Sequence, residues 1–253
     1  MAETVERLRE KHQTLLRDLN EGSRPTIAPH KIAGQLYCEK KVDLAEKHGE
    51  RENQAKQRGS DTHEKATEDA ETVSNDAFWE AMDSDEQQIM VEFGFAGELD
   101  EFILAGKADA IRFNGQKPEL IIDRKVTTHT HTVYDNQEIQ PWLYGLMLST
   151  IGFDTSELNV AILSHEPSLD KEVGKHLQNV VLQTAWEPGE HSLPGFSEAN
   201  LFVSEFDPAK YQDTLNDKLE YWRDERDPVP TDTNSKCSGC DYNDVCSDAP
   251  GYV

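Results

Sequence analysis

Positive charge is scarce in this sequence: 25 lysines and arginines stand against 49 aspartates and glutamates, a formal net charge of −24 over 253 residues. At low ionic strength such a chain repels a polyanion, which argues against a broad basic face for nucleic acid. Long apolar runs are missing too. No stretch approaches the roughly 18–20 residues of a membrane span, and the charged start from Met1 to Lys11 has no apolar leader core. The expectation is a cytoplasmic protein without membrane contact. Cysteine is rare, four in all, too few for a small disulfide-built scaffold. No internal period is visible, which excludes a repeat or fibrous architecture. Hydrophobic residues make up 36 % at a mean hydropathy of −0.73, yet they cluster in periodic segments, as in a folded chain.

The acidic excess has two readings. One is an acidic protein of an ordinary cytoplasm. The other is a halophile's protein, from a haloarchaeon, because at molar salt the Debye length shrinks to about 3 Å and only local charge then governs partners. On the second reading, withdrawing KCl costs the protein its fold.

Along the chain, Ala2–Asn20 reads as an amphipathic helix closed by the turn Glu21-Gly22-Ser23-Arg24-Pro25, and Pro29–Lys47 as a second helix. Glu50–Ser74 is charged, with Ser60 a plausible N-cap, and a short helix is predicted at Asp85–Met90. Strand patterns follow at Val91–Ala96, Glu101–Leu104, Lys107–Phe113 and Glu119–Val126. Helix returns at Asn136–Ile151, then strands at Leu158–Leu163 and Asn179–Gln183, a loop at Trp186–Asn200, and a helix to Arg223 with Asp207 as N-cap and Pro208 at its first position. The fold class is α/β: helices around a small mixed sheet, with helical and cysteine-bearing ends. Four regions are expected: an N-terminal helical extension (1–25), a helical region (26–90), the core (91–227) and a cysteine-bearing tail (228–253).

The chemistry centres on Gly106-Lys107-Ala108-Asp109-Ala110-Ile111 and Ile121-Ile122-Asp123-Arg124-Lys125. Asp123 and Lys125 are two apart on a strand and share a face. With Asp109 on the preceding antiparallel strand, two carboxylates and an ammonium make a workable site for hard divalent cations acting on a phosphodiester. Register tests this: a two-residue hairpin at Asn114-Gly115 would turn Asp109 away from Asp123, so the site requires an odd-numbered, longer turn. Gln140 and Tyr144, four apart on the next helix, share a face from which they can hold a DNA phosphate or Lys125. His63 can add an imidazole to the metal shell. The competing reading of Asp-x-Lys is a solvated strand face. His129, His131 and His165 read as surface histidines.

Cys237-x2-Cys240-x5-Cys246, with Cys38 far upstream, accounts for every cysteine. In a reducing compartment clustered thiolates suggest a metal site, and spacing alone does not separate a four-thiolate zinc from a [4Fe-4S] cluster.

These segments together resemble the PD-(D/E)xK nucleases of the RecB type, in the iron–sulfur branch that includes the fourth CRISPR-associated exonuclease family. Tyr37-Cys38-Glu39-Lys40-Lys41 resembles the first-cysteine segment (Pro-Arg-Lys is commoner after that cysteine), His63 falls at the motif-one histidine, and Gly106–Ile111 resembles the metal-binding aspartate motif. Asp123-Arg124-Lys125 matches (D/E)xK, Gln140-Pro141-Trp142-Leu143-Tyr144 matches QxxxY, and Cys237, Cys240 and Cys246 complete the cluster signature. The resemblance implies a restriction-endonuclease-like mixed sheet flanked by helices, with an iron–sulfur subdomain joining the N- and C-terminal regions. It implies a [4Fe-4S] cluster rather than zinc, Mg²⁺ or Mn²⁺ at the active site, and exonucleolytic cleavage of DNA that is single-stranded or has free ends. The implied setting is CRISPR adaptation, with the CRISPR integrase complex as a partner, or DNA repair and recombination. Metal ligands would be His63, Asp109, Asp123 and the backbone carbonyl of Arg124; Lys125 would position the attacking water, and Gln140 and Tyr144 the strand. Lys40, Lys41, Lys47, Lys56 and Arg58 would bind DNA, with Trp142 or Tyr134 stacking on bases. The alternatives are a non-catalytic DNA-binding or assembly subunit and a zinc-stapled interaction protein.

Overall fold

A computed structural model describes residues 4–51, 75–84 and 86–249. His63, Lys56, Arg58, Ser60 and most of the predicted segment 50–74 lie outside the described residues.

Helix α1 (Val5–Glu21) carries Leu8, His12 and Leu15 on its buried side and ends on Gly22 in the left-handed conformation, φ 62°. A short strand β1 (Thr26–Ile27) leads into α2 (Pro29–His48), which starts on proline and breaks at Cys38, whose backbone is extended (φ −170°, ψ 111°). After α3 (Asn75–Met82) come three long antiparallel strands, β2 (Gln87–Leu99), β3 (Phe102–Asn114) and β4 (Lys117–Val126). Then follow α4 (Asp135–Ile151), β5 (Asn159–His165), α5 (Lys171–Gln183), β6 (Gly189–Leu193), β7 (Phe196–Glu205), α6 (Gln212–Trp222) and the short α7 (Asn234–Ser238).

The strands form one seven-stranded mixed sheet in the order β1-β3-β4-β5-β7-β6, with β2 on the other edge of β3. Pairings are antiparallel except β1 with β3 and β4 with β5. One face carries the larger core, where Phe78, Trp79, Phe93, Phe113, Trp142, Met147 and Phe153 pack with α1 to α4 and α6. The other face packs Ala110, Ile122, Ala161 and Leu163 against Leu177 and Val181 of α5. This is the predicted α/β mixed sheet flanked by helices.

Several local predictions are overturned. Of the helix predicted at Asp85–Met90, Gln87–Met90 are the start of β2, because they pair with Asn114 to Ile111 and the ladder outweighs local propensity, while Asp85 lies outside the described residues. Four predicted short strands are three long ones, the first pair joined at Asp100-Glu101 with Asp100 at φ 50°. The predicted strand Asn179–Gln183 is the end of α5: Leu177 and Val181 fall at helical spacing on the buried face, and the Asp170 carboxylate caps the Val173 N–H at 2.9 Å. The predicted loop Trp186–Asn200 is the β6–β7 hairpin, turned at Gly195 with φ 82°. Asp207 caps a turn through the Ala209 N–H, and α6 starts later, at Gln212.

His12 is 1 % exposed, against Trp79 with ring centroids 5.8 Å apart. Its Nε2 accepts the Ala96 N–H at 3.4 Å, and its Nδ1 has no hydrogen-bond partner among the described residues. Burial lowers its pKa from 6.5 to about 4. Between those values the unfolded chain takes up a proton that the folded chain refuses, so stability falls as pH drops through that window, approaching about 3 kcal/mol. Urea titrations at pH 7 and 4.5 are expected to show a smaller loss in His12→Gln than in the wild type; equal losses would remove this role for His12.

Candidate active site

The site lies where β3 and β4 part. Across the edge of β3 opposite β2, Ile103 and Leu104 pair with β1, and Ala110 to Asn114 pair with β4. Between them no strand among the described residues pairs with this edge, and Asp109 stands at its end. Continuing the register from Ile111↔Ile121 and Ala110↔Ile122 sets Asp109 at the level of Asp123, and the Asp109 carboxylate accepts the Arg124 N–H at 2.6 Å. A residue's N–H and C=O leave an extended strand on the same side, so the Arg124 carbonyl also faces this gap.

The predicted route to that register is corrected. The turn is two residues, Gly115-Gln116 between the paired Asn114 and Lys117, not a longer odd-numbered one. The face is restored by a shift between Arg112 and Phe113, which pair with Leu120 and Pro118 and leave Glu119 as an extra residue. The bulge performs the parity change expected of the turn. Glu119 is put to use: its carboxylate takes the Arg112 Nε–H at 3.0 Å. Upstream, the glycine in the Gly106–Ile111 segment answers to close packing, since a Cβ there would meet Pro29 Cδ at 2.9 Å and Tyr144 Cε1 at 3.3 Å.

Lys125 Nζ lies 2.8 Å from Asp123 Oδ2 and donates to Gln140 Oε1 at 3.0 Å. Burial pulls the Lys125 pKa down, but the Asp123 and Asp109 charges outweigh it and the net shift is upward, so the ammonium stays charged. Tyr144 is 3 % exposed; burial first, then Asp123, Asp109 and Glu92, push its pKa well above the phenol range, while Gln140 hydrogen-bonds its hydroxyl. Asp109, Asp123, Lys125, Gln140 and Tyr144 are therefore brought together. Among the described residues no three histidine, cysteine or carboxylate side chains close on one point as they would around a single ion. The donor set is hard oxygen, two carboxylates and a carbonyl, and suits Mg²⁺ or Mn²⁺.

Sequence reasoning missed Glu92. It falls opposite Asp109 in the β2–β3 ladder, between Val91↔Ala110 and Phe93↔Ala108, with its backbone in the left-handed region at φ 51°. A glutamate in an alternating strand gives no signal of its own; only the register places it beside Asp109.

Trp142 as a base-stacking ring and His165 as a surface histidine are corrected, and the described lysines expected at DNA are ion-paired. Trp142 is 1 % exposed, its indole donating to the Asp207 carbonyl at 2.7 Å, and is a core residue. Lys40 and Lys47 pair with Asp43, and Lys41 with Asp241, so their charge is offset locally. His165 is buried at 1 %, its Nδ1 3.1 Å from the Glu166 carbonyl.

The four cysteines line one cavity, none in a disulfide. Burial and then the sulfurs of Cys38, Cys246 and Cys240 push the Cys237 thiol up. The break in α2 at Cys38 turns that residue toward the tail, and the tail is anchored beside it. Tyr242 is wholly buried, its hydroxyl donating to the Gly49 carbonyl at 2.7 Å, with the Arg51 guanidinium 5.0 Å over its ring. Lys236 Nζ donates to the Tyr37 carbonyl at 3.2 Å. Four thiols from two distant segments on one cavity supply a soft donor set, although no three of them close around a single ion.

No helix among the described residues is long and apolar enough to cross a membrane. No curated protein matches the chain. A solved structure described as "Crystal structure of SSO0001" aligns over 92 % of this chain and 93 % of its own at 12 % identity and a TM-score of 0.42, too distant to support a statement about fold or function. The family model of the PD-(D/E)XK nuclease superfamily matches residues 4–247, nearly the whole length, and the chain belongs to that superfamily.

Proposed function

We propose that this protein is a Mg²⁺- or Mn²⁺-dependent deoxyribonuclease of the RecB type that digests single-stranded DNA from free ends and carries a [4Fe-4S] cluster. Superfamily membership implies a metal-dependent nuclease acting on nucleic acid. The catalytic reading rests on one observation: the Asp109 carboxylate reaches across the β3–β4 gap to the Arg124 N–H, level with Asp123, and Lys125 is held between Asp123 and Gln140. Asp109, Asp123 and the Arg124 carbonyl, with His63, would hold the cation, which polarises the phosphodiester and acidifies water when bound. Lys125, kept charged, orients the nucleophile and offsets charge developing on the phosphate. Gln140 fixes Lys125, and neutral Tyr144 offers a hydroxyl toward the strand. The biological setting we favour is CRISPR adaptation beside the integrase complex, or repair and recombination, in the cytoplasm of a halophile.

End-labelled linear and circular single strands, incubated with Mn²⁺ or EDTA, test the activity. Loss of the linear substrate alone, and only with metal, is expected; cleavage of the circle would make the enzyme an endonuclease, and no cleavage of either would favour a non-catalytic subunit. The anaerobically purified protein is expected to be brown, with iron and acid-labile sulfide in equal amount, whereas a colourless protein holding zinc would refute the cluster. Dilution from molar KCl is expected to unfold the chain, and an unchanged circular-dichroism spectrum would refute the halophilic reading.

A further inference from the structure

Between the start of α4 and the cysteine-bearing tail runs a groove of about 670 Å³. Its walls come from distant parts of the chain: Leu36 and Tyr37 precede the break in α2, His129, Tyr134 and Gln137 belong to the β4–α4 junction, and Lys236 comes from α7. Tyr134 is 52 % exposed, unusual for so large a ring, while Trp142 of the same helix is buried. Its backbone is held in place, because the Tyr134 N–H donates to Gln137 Oε1 at 3.1 Å and the Gln137 N–H to the Tyr134 carbonyl at 2.7 Å. On the other wall Lys236 Nζ lies 4.8 Å over the Tyr37 ring, which places a cation beside a second aromatic.

The groove's lining stops at Gln137, short of the candidate active-site residues. Gln137 and Gln140 are one helical turn apart, and Gln140 accepts the Lys125 ammonium. From Tyr134 to Gln140 the helix rises about 9 Å, a nucleotide or two along an extended strand. We infer that Tyr134 is a stacking platform for a base of single-stranded DNA, which lies in this groove as it enters the site; the inference rests on the nuclease reading and adds the strand's path and a positioning residue. An exposed ring on a held backbone, with a cation on the opposite wall, fits an unpaired base, whose π-face is free, and gives nothing to a duplex, whose faces are covered. The path also explains how a chain of net charge −24 holds a polyanion: stacking is not screened by salt, and the only charge required is local.

The test is binding and turnover by the full-length protein with Tyr134→Ala, Tyr134→Phe and Tyr134→Trp, at the KCl concentration where the fold is intact. A single strand carrying 2-aminopurine, in EDTA to prevent hydrolysis, is expected to lose fluorescence on binding wild type, Tyr134→Phe and Tyr134→Trp. With Tyr134→Ala the quench should vanish and affinity fall about tenfold, with duplex binding unchanged. In Mn²⁺ the alanine variant should raise KM about tenfold with kcat within about twofold of wild type. An alanine variant that binds and quenches like wild type would overturn the inference, as would a phenylalanine variant as weak as alanine, which would make the hydroxyl the contact. Because binding is read without metal, wild-type protein that stacks DNA but never cleaves it would sink the nuclease reading alone.

Discussion

Asp109→Asn and Lys125→Ala are each expected to lower DNA hydrolysis by about 10²–10³-fold, the usual cost of deleting one group that meets developing charge, the asparagine variant without lowering the melting temperature appreciably. Asparagine is the informative replacement at Asp109. Its amide oxygen can still accept the Arg124 N–H that Asp109 accepts at 2.6 Å, so the strand geometry is kept while the charge needed by a cation is lost. Lys125 is a quarter exposed, but its partner Asp123 is 3 % exposed, so Lys125→Ala also costs stability by leaving a buried carboxylate without its cation, and its rate is read where melts show the variant folded. Rates with end-labelled DNA and Mn²⁺, beside thermal melts, check both. Wild-type rates in either variant would show the residue to be an ordinary ion-pair member; a parallel collapse of melting temperature and rate would make the role structural.

The second large effect is on stability. Glu39, 1 % exposed, follows the break at Cys38 and gathers Arg226 Nη2 at 2.9 Å, Lys218 Nζ at 3.2 Å and the Val229 N–H at 2.9 Å. Gln35 joins it to the Trp222 indole and the Lys218 carbonyl. Burial raises the Glu39 pKa, but the Arg226 hydrogen bonds, the Val229 N–H and Lys218 outweigh it and hold it below the usual carboxylate range. Glu39→Gln removes the buried carboxylate at the centre of the network and leaves Arg226 and Lys218 to their exposed partners Asp217 and Glu220, a loss of about 3 kcal/mol. At the 2–4 °C per kcal/mol typical of a chain this size, the melting temperature should fall roughly 10 °C. Because Glu39 is next to Cys38, the variant should also lose any bound cluster faster in air, read as visible absorbance against time. A melting temperature within a degree or two of wild type would show that the network adds nothing net.

How much of this was legible in the sequence differs by element. The strands bearing Asp109, Asp123 and Lys125 were readable because their apolar residues alternate and the acids fall on one parity. The bulge at Glu119 was not: Asn114-Gly115 gives the stronger turn signal, and only the paired strands reveal the extra residue. Val180-Val181-Leu182 reads as strand by β-branching, yet the Asp170 cap and the helical spacing of Leu177 and Val181 decide for helix. The β6–β7 hairpin was hidden by its own prolines and glycines, which mark turns as readily as loops. At the site, Glu92 and the burial of Trp142 and His165 depend on which strands and helices meet, information that no local window contains.

The most direct measurement is a crystal structure of the protein in Mn²⁺ with anomalous scattering at the manganese edge. The expected result is a peak in the β3–β4 gap, ligated by Asp109, Asp123 and the Arg124 carbonyl, with Lys125 beside it and His63 completing the shell. A gap without a peak, in crystals where manganese is seen elsewhere, or carboxylates turned away from one another, would contradict it.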